Sequence, residues 1–498
     1  MLDRNSIIKN IEQKASAGHV WDLIVIGGGA TGLGSAVDAA SRGLDVLLLE
    51  AHDFAKGTSS RATKLAHGGV RYLAQGNISL VREALEERGR MLRNAPNLVK
   101  PLAFVIPVKS WFEKMFYWIG LKVYDLLAGR LGIGPTRMMN LAQVVGALPT
   151  LNRRHLAGGV RYFDAQFDDA RLAIALMKTL FAQGGQALNY CAVTGFEKQD
   201  ERIAAVKVQD RFGAHAMSLK AKAFINATGV WVDDLRRLDN PSTLSMLSPS
   251  QGVHVVVDRS FHPATDALLV PKTSDGRVLF VVPWLGKTLI GTTDTPRRDA
   301  PTEPKPLDGE VDFVLQTAAQ YLSPAPSRSD VRSVFVGLRP LVGAAPNGNT
   351  KSISREHTIV TDPSGLVTIT GGKWTTYRSM AEEVVDLVCK QRGWHGRPCQ
   401  TTELRLKDSL PAQADGTRLD AALDLTEQDI QLAVTEELAV TIEDVLARRN
   451  RALFLDSAAA RRCIPAVRRV LAQRLGYSEA QLDEQERHFQ ALCDQYAG

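Results

Sequence analysis

The sequence is short of everything that would mark a secreted, metal-binding or membrane-spanning chain. Its five cysteines (Cys191, Cys389, Cys399, Cys463, Cys493) are an odd count without a CxxC pair. Neither a disulfide framework nor a zinc cage is indicated, and a reducing, cytosolic setting is the simplest inference. No run of 18 uncharged apolar residues occurs, and the opening MLDRNSIIKNIEQKASAGHV has no continuous apolar core, so secretion and bilayer spanning are not expected. The ten histidines are scattered, without HExxH, and no metal site is argued for. GxSxG is missing too, which leaves serine hydrolase chemistry without support. The net charge of +6 is spread along the chain with no basic tail, so no nucleic-acid partner is indicated. A mild excess of this kind suits acidic small molecules or an anionic membrane surface equally well.

What is present describes a well-packed globular protein of two or three domains: 498 residues, 45% hydrophobic, with 40 glycines for tight turns. The run DLIVI (22–26) is predicted to be a fully buried strand, and it stops at GGGATGLG. Gly27, Gly29 and Gly32 satisfy GxGxxG. The first permits a tight turn, the second lets a pyrophosphate approach the backbone, and the third allows close packing of strand and helix. Ala30 and Thr31 then open a helix of small residues whose first amides would face phosphates. A second buried strand, DVLLL (45–49), ends at Glu50, where the ribose-binding acid of a dinucleotide fold belongs. These residues leave FAD and NAD open. FINATGVW (224–231) and VTITGGKWTTYR (367–378) are further strands running into small-residue turns, and several such backbone approaches suit a flavin held along its length.

Taken together, GGGATGLGSAVDAASRG, GTSSRATKLAHGGVRYL, NATGVW, GTTD, GLRPL and GGKWTTYR resemble the FAD-dependent glycerol-3-phosphate dehydrogenases of the D-amino-acid oxidase superfamily, from about residue 20 to about residue 480. The resemblance implies an α/β + α fold: a Rossmann-like FAD-binding domain interleaved with an antiparallel-sheet substrate cap domain, plus a C-terminal helical domain. The FAD-binding domain is expected from 20–76, 155–240 and 350–395, the cap from 77–154 and 241–349, and the helical domain from 400–498. Thr426, Thr441 and Ser478 each carry an acid or glutamine three positions on, a capping-box pattern, and Gly476 is placed as a helix stop.

The implied chemistry is oxidation of sn-glycerol 3-phosphate to dihydroxyacetone phosphate, with hydride passing from C2 to FAD N5 and electrons going on to a membrane quinone. Phosphate needs fixed cations, and arginine binds it in a bidentate way. Arg71, Arg339 and Arg355 match the family's substrate positions, with Tyr72 beside the first. His254 is the candidate general base, on the argument that a histidine near its ordinary pKa can take a proton at neutral pH. Thr292 and Thr293 could hydrogen-bond substrate. Lys373, after two glycines at a helix start, would stabilise negative charge on the reduced ring. The cofactor set completes with Thr58, Ser59, Ser60, Val193, Ala227, Thr228, Gly229, Gly371, Gly372, Trp374 and Thr375. Core GGVRY recurs at 158–162, yet flanking residues do not align, so the second copy is expected to be a strand and helix entry of the flavin domain, with Arg161 paired to a neighbouring aspartate.

Residues 111–134 are aromatic and apolar but interrupted by Lys122, Asp125 and Arg130. Two readings stay open: an amphipathic segment in a membrane interface, or a buried helix of the cap. The resemblance implies a cytoplasmic protein peripheral on the inner face of the cell membrane; a homodimer is one option for its assembly. Rival functions are an oxidase returning electrons to oxygen, an amine or amino-acid oxidase, and a flavin-binding protein without turnover.

Overall fold

The computed structural model describes residues 2–70, 73, 76–213, 216–274, 276–343, 356–407 and 416–498. Two sheets organise them. In the first, the strands Leu366–Gly371, Ala216–Asn226, Val20–Ile26, Val46–Leu49 and Gln186–Leu188 lie parallel and in that spatial order. Val20–Ile26 is central, and Leu23, Ile24 and Val25 are fully buried, as continuous apolar runs are when both faces of a parallel sheet are covered. The helix Ala30–Ser41 follows at once. Its small residues let the helix Tyr377–Arg392 press close: a Cβ on Gly34 would come within 2.9 Å of the Tyr377 ring. In such sheets the ligand crevice lies beyond the carboxyl ends of the strands, and here Gly27, Glu50, Ala227 and Gly371 all stand at or just past those ends.

The second sheet is almost wholly antiparallel and carries the strands Ser250–Asp258, Lys287–Gly291, Leu279–Trp284, Ala267–Val270 and Val99–Val108 in sequence across it. Val331–Arg339 pairs along the far side of Ser250–Asp258, in a register that sets His254 opposite Phe335 and Ser250 opposite Arg339. One expectation is corrected. The strand Gly158–Phe167, assigned above to the flavin domain, belongs to this second sheet, where it pairs with Val99–Val108 over ten residues. Only the helix after it, Asp169–Ala182, returns to the first layer to pack on Ala30–Ser41. Arg161 ion-pairs with Asp266 at 2.9 Å, an aspartate 105 residues further along the chain, in place of one of those that follow it in its own segment.

The helices from Glu427 to Tyr496 pack on the second sheet, sharing a core with Val256, Trp284, Leu289 and Phe335. Thr426 and Ser478 form capping boxes, Thr441 and Asp444 bond each other's backbone amides, and Gly476 ends its helix in the left-handed region. Ion pairs buried from solvent tie this helical unit to the segment after Glu50. Asp53 is gripped by Arg448 Nε at 2.5 Å and by Arg449 Nη1 at 2.6 Å, and Lys56 pairs with both Glu443 and Glu303.

The helix Trp111–Ala128 is covered on one side only. One face is buried through Leu121, Tyr124 and Ala128, while Trp111, Phe112, Phe116, Ile119, Val123 and Leu126 remain exposed. The spacing 112, 116, 119, 123, 126 is a single helical stripe. Among the described residues no helix is long and apolar enough to cross a membrane.

Candidate active site

A cavity of about 1560 Å³ opens between the two sheets. It exceeds the ~300–1,000 Å³ usual for one small ligand, so it can take a dinucleotide and a second molecule beside it. Gly27, Gly29, Ala30, Thr31, Glu50, Thr58, Ser59, Val193, Ala227, Thr228 and Gly229 line one part, followed by Gly371, Gly372, Lys373, Trp374 and Thr375; His254, Thr292, Thr293 and Arg339 line another. Arg71, Tyr72 and Arg355 lie outside the described residues.

The dinucleotide part is built from backbone. Gly27 has φ +112°, and a Cβ there would come within 2.5 Å of the Ala227 carbonyl oxygen, so strand and neighbouring turn meet with no room for a side chain. The helix Ala30–Ser41 starts on the cavity wall with Gly29 as its N-cap, and Ala30 N–H donates to Ser59 Oγ at 2.9 Å. Glu50 accepts from Gly28 N–H (2.6 Å) and His52 N–H (2.7 Å). Burial raises its carboxyl, and those two donors oppose the rise. A cradle stripped of Cβ atoms beside a helix start, with an acid at its edge, fits an FAD held by its pyrophosphate and ribose.

Two members of the expected cofactor set stand off the wall. Gly32 lies behind it, where a Cβ would collide with the Gly27 carbonyl, so it serves only the strand and helix packing that its place in the motif implies. Ser60 is 1% exposed and lies beneath the wall, its carbonyl accepting from Lys64 Nζ (2.8 Å) and Arg451 Nη2 (2.6 Å). Thr58 stays on the wall, though its hydroxyl is spent on the Leu338 carbonyl at 2.6 Å.

The second part is a cluster of cations and hydrogen-bonding groups. Arg339 donates to the Thr293 carbonyl (2.9 Å), the Gln251 carbonyl (3.3 Å) and Thr292 Oγ1 (3.3 Å). Its charge is balanced by Asp294 at 3.4 Å. Thr293 is buried, donating to Glu310 and accepting from Val253 N–H, so its hydroxyl is structural, whereas Thr292 keeps an oxygen at the cavity. Gly371 and Gly372 both take positive φ, at +84° and +68°. They turn the chain so that Lys373 caps the short turn leading into Tyr377–Arg392.

His254 departs from its expectation. It is 2% exposed, stacked on Phe335, and bonded through Nε2 to Thr63 Oγ1 at 2.9 Å, while Nδ1 has no hydrogen-bond partner among the described residues. Burial, then the charges of Lys64 and Arg339, push its pKa well below the ordinary value. The ring is neutral at pH 7, and the premise of a near-ordinary pKa is withdrawn. Thr63 and His67, both on the wall, and Lys64 behind it were missed in the sequence, although all three stand inside the quoted GTSSRATKLAHGG. Lys64 adopts φ +66°, which nothing in the residue type announces.

A parallel sheet whose strand ends cradle a dinucleotide, facing an antiparallel sheet that brings cations over the same cavity, defines a flavin-dependent oxidoreductase. The chain belongs to the DAO family, FAD dependent oxidoreductase, which it matches over residues 22–387. Residues 375–482 match the C-terminal domain of alpha-glycerophosphate oxidase. Among individual proteins, it is 35% identical to the mitochondrial glycerol-3-phosphate dehydrogenase of Rattus norvegicus, over 93% of this chain and 72% of that one. It is 37% identical to the probable mitochondrial glycerol-3-phosphate dehydrogenase of Caenorhabditis elegans, over 98% and 75%. The glycerol-3-phosphate dehydrogenase of Bacillus halodurans, solved complexed with FAD, superimposes with a TM-score of 0.81 at 29% identity, covering 100% of this chain and 99% of that one.

Proposed function

We propose that the protein oxidises sn-glycerol 3-phosphate to dihydroxyacetone phosphate and passes the electrons to a membrane quinone. The observation that carries the reading is the meeting of Arg339, Thr292, His254 and Lys373 on the wall of the same cavity as the dinucleotide cradle; the named relatives support it. FAD, when bound, supplies a hydride acceptor at N5. The protein's own groups do the rest. Arg339, already oriented by two carbonyls and Asp294, presents its guanidinium to the phosphate, a task for which the family resemblance also offers Arg71 and Arg355. Thr292 Oγ1 hydrogen-bonds the substrate. His254 receives the C2 hydroxyl proton on a neutral ring, and the cost of holding that proton beside Lys64 and Arg339 favours its onward release. Lys373 lowers the energy of negative charge where the reduced cofactor gathers it. Anaerobic mixing with sn-glycerol 3-phosphate bleaches the flavin band if the reading is right; a band unchanged by substrate refutes it.

The quinone and the membrane are supported by the lining of the same cavity, which includes Phe104, Ile106 and, from the helix Trp111–Ala128, Phe116, Tyr117, Ile119 and Leu121. A cavity lined in part by residues of an exposed apolar stripe suits an acceptor dissolved in lipid, and a helix of this kind lies in the interface with lysines at headgroup level. The cell location follows as peripheral on the inner face of the membrane, and a homodimer remains the assembly to test by sedimentation. The match of 375–482 to an oxidase domain favours a second reading, return of electrons to oxygen. Peroxide release in air, set against reduction of a quinone analogue, separates the two.

A further inference from the structure

Lys64 is wholly buried, and the reaction described above uses it only as a charge near His254. Its ammonium donates to Asp169 Oδ2 at 2.7 Å and to the Ser60 carbonyl at 2.8 Å. It also sits over the rings of Trp284, Phe335 and Phe454, at 5.2, 4.9 and 5.6 Å. Burying an ammonium is costly even when it is paired, and this one is enclosed by four separate parts of the chain. The same Phe335 ring carries His254, with centroids 4.8 Å apart and planes 13° from parallel. The residue just before Lys64, Thr63, makes the hydrogen bond to His254 Nε2.

We propose that Lys64 is a positioning residue for the oxidation: clamped by Asp169 in an aromatic box, it holds Thr63 against His254 and keeps that imidazole unprotonated. The inference rests on the role given to His254 above. The charged groups facing His254 are Lys64 and Arg339; those facing Lys64 are Asp169, Asp168 and Arg451. Arg451, from the C-terminal helical unit, donates to the other Asp169 oxygen at 3.3 Å, so the carboxylate that anchors Lys64 is itself fixed by that unit. Lys64 Nζ and the imidazole lie 4.9 and 4.8 Å from the Phe335 centre and so are no more than about 10 Å apart, a separation at which one charge displaces another's titration by about one pH unit inside a protein. Burial brings Lys64 itself down to about 7, with Asp169 resisting.

The test follows the imidazole directly, without substrate. Holoenzyme isotope-labelled at histidine Cε1 is titrated by NMR, and the His254 resonance is assigned by its loss in His254→Gln. In the unmodified protein that resonance keeps its neutral position as pH falls through the ordinary histidine range. In Lys64→Met its titration moves up by about one unit or more, and Lys64→Arg restores the original behaviour. The pH profile of flavin reduction moves in Lys64→Met, and the shift vanishes when His254→Gln is added. Ordinary titration of His254 near pH 6.5 in the unmodified protein overturns the proposal even if Lys64→Met fails to fold. So does an unchanged titration in Lys64→Met, or an unmoved rate profile. If the resonance shifts while His254→Gln reduces its flavin at the full rate, the coupling is real but the positioning role falls together with the part assigned to His254. The substrate reading is tested separately by flavin bleaching.

Discussion

Replacing Phe112 and Leu126 with serine tests the membrane contact where the structure is most quantitative. The two side chains are 79% and 80% exposed, and they lie fourteen residues apart, almost four turns, on the same stripe of the helix Trp111–Ala128. Full burial of such a side chain is worth ~1.5–3 kcal/mol. With about four-fifths of each left to cover, each contributes about 1–2 kcal/mol on entering the acyl boundary. The double variant therefore loses about 3 kcal/mol, and the lipid concentration for half-binding rises roughly a hundredfold. The assay is sedimentation with anionic vesicles at low salt, because Lys109, Lys122 and Arg130 flank the stripe and anionic headgroups add about 1 kcal/mol per cation. Since both side chains face away from the core, flavin content and thermal midpoint stay where they were. Half-binding that does not move, or an unmodified protein that remains in the supernatant, refutes the reasoning.

Lys373→Met retains FAD but slows its reduction by glycerol 3-phosphate by about 10²–10³-fold, the scale set by losing one preorganised donor to developing charge; an unchanged stopped-flow trace removes the assignment. Gly27→Ala places a methyl against the Ala227 carbonyl at a φ of +112°, so the purified variant is expected to be colourless while keeping its far-ultraviolet circular dichroism. Asp53→Asn leaves Arg448 and Arg449 short of a buried counter-charge and costs about 3–5 kcal/mol in urea unfolding. Burial raises the Asp53 carboxyl, but Arg449 and Arg448 outweigh it and hold the group at about 2. Its folded value is thus below the unfolded one near 4, and its stabilisation is complete above about pH 4 and lost as pH falls toward 2. The unmodified protein shows this acid slope, and Asp53→Asn lacks it.

Much of the dinucleotide cradle was legible because its constraints are local. A buried strand, a turn with no room for Cβ atoms and an acid at the end of the next strand lie within thirty residues, and each residue type carries its own reason. The strand Gly158–Phe167 was assigned to the wrong sheet because GGVRYFDAQF states only that it is a strand; its partner, Val99–Val108, lies fifty residues earlier. The exposure of the stripe on Trp111–Ala128 was undecidable from composition, since which face is covered depends on where the second sheet passes. His254 stands on the cavity wall, yet the near-ordinary pKa expected of it does not hold. Burial lowers it first, then Lys64 and Arg339, neither of which is near it in sequence. Lys64 itself was invisible: its environment is assembled from Asp169, Trp284, Phe335, Arg451 and Phe454.

The ion pairs between the segment after Glu50 and the last helices carry a consequence for biosynthesis. Asp53 and Lys56 leave the ribosome almost four hundred residues before Arg448, Arg449 and Glu443, and the strand Leu366–Gly371, with the glycine turn that follows, also arrives late. Contacts spanning such distances form only after the intervening chain exists. The nascent protein must therefore travel most of its length with a half-made nucleotide bed and unneutralised carboxylates. Prosthetic group capture becomes an event of release rather than of early synthesis, and a chain cut short before residue 440 will accumulate without colour.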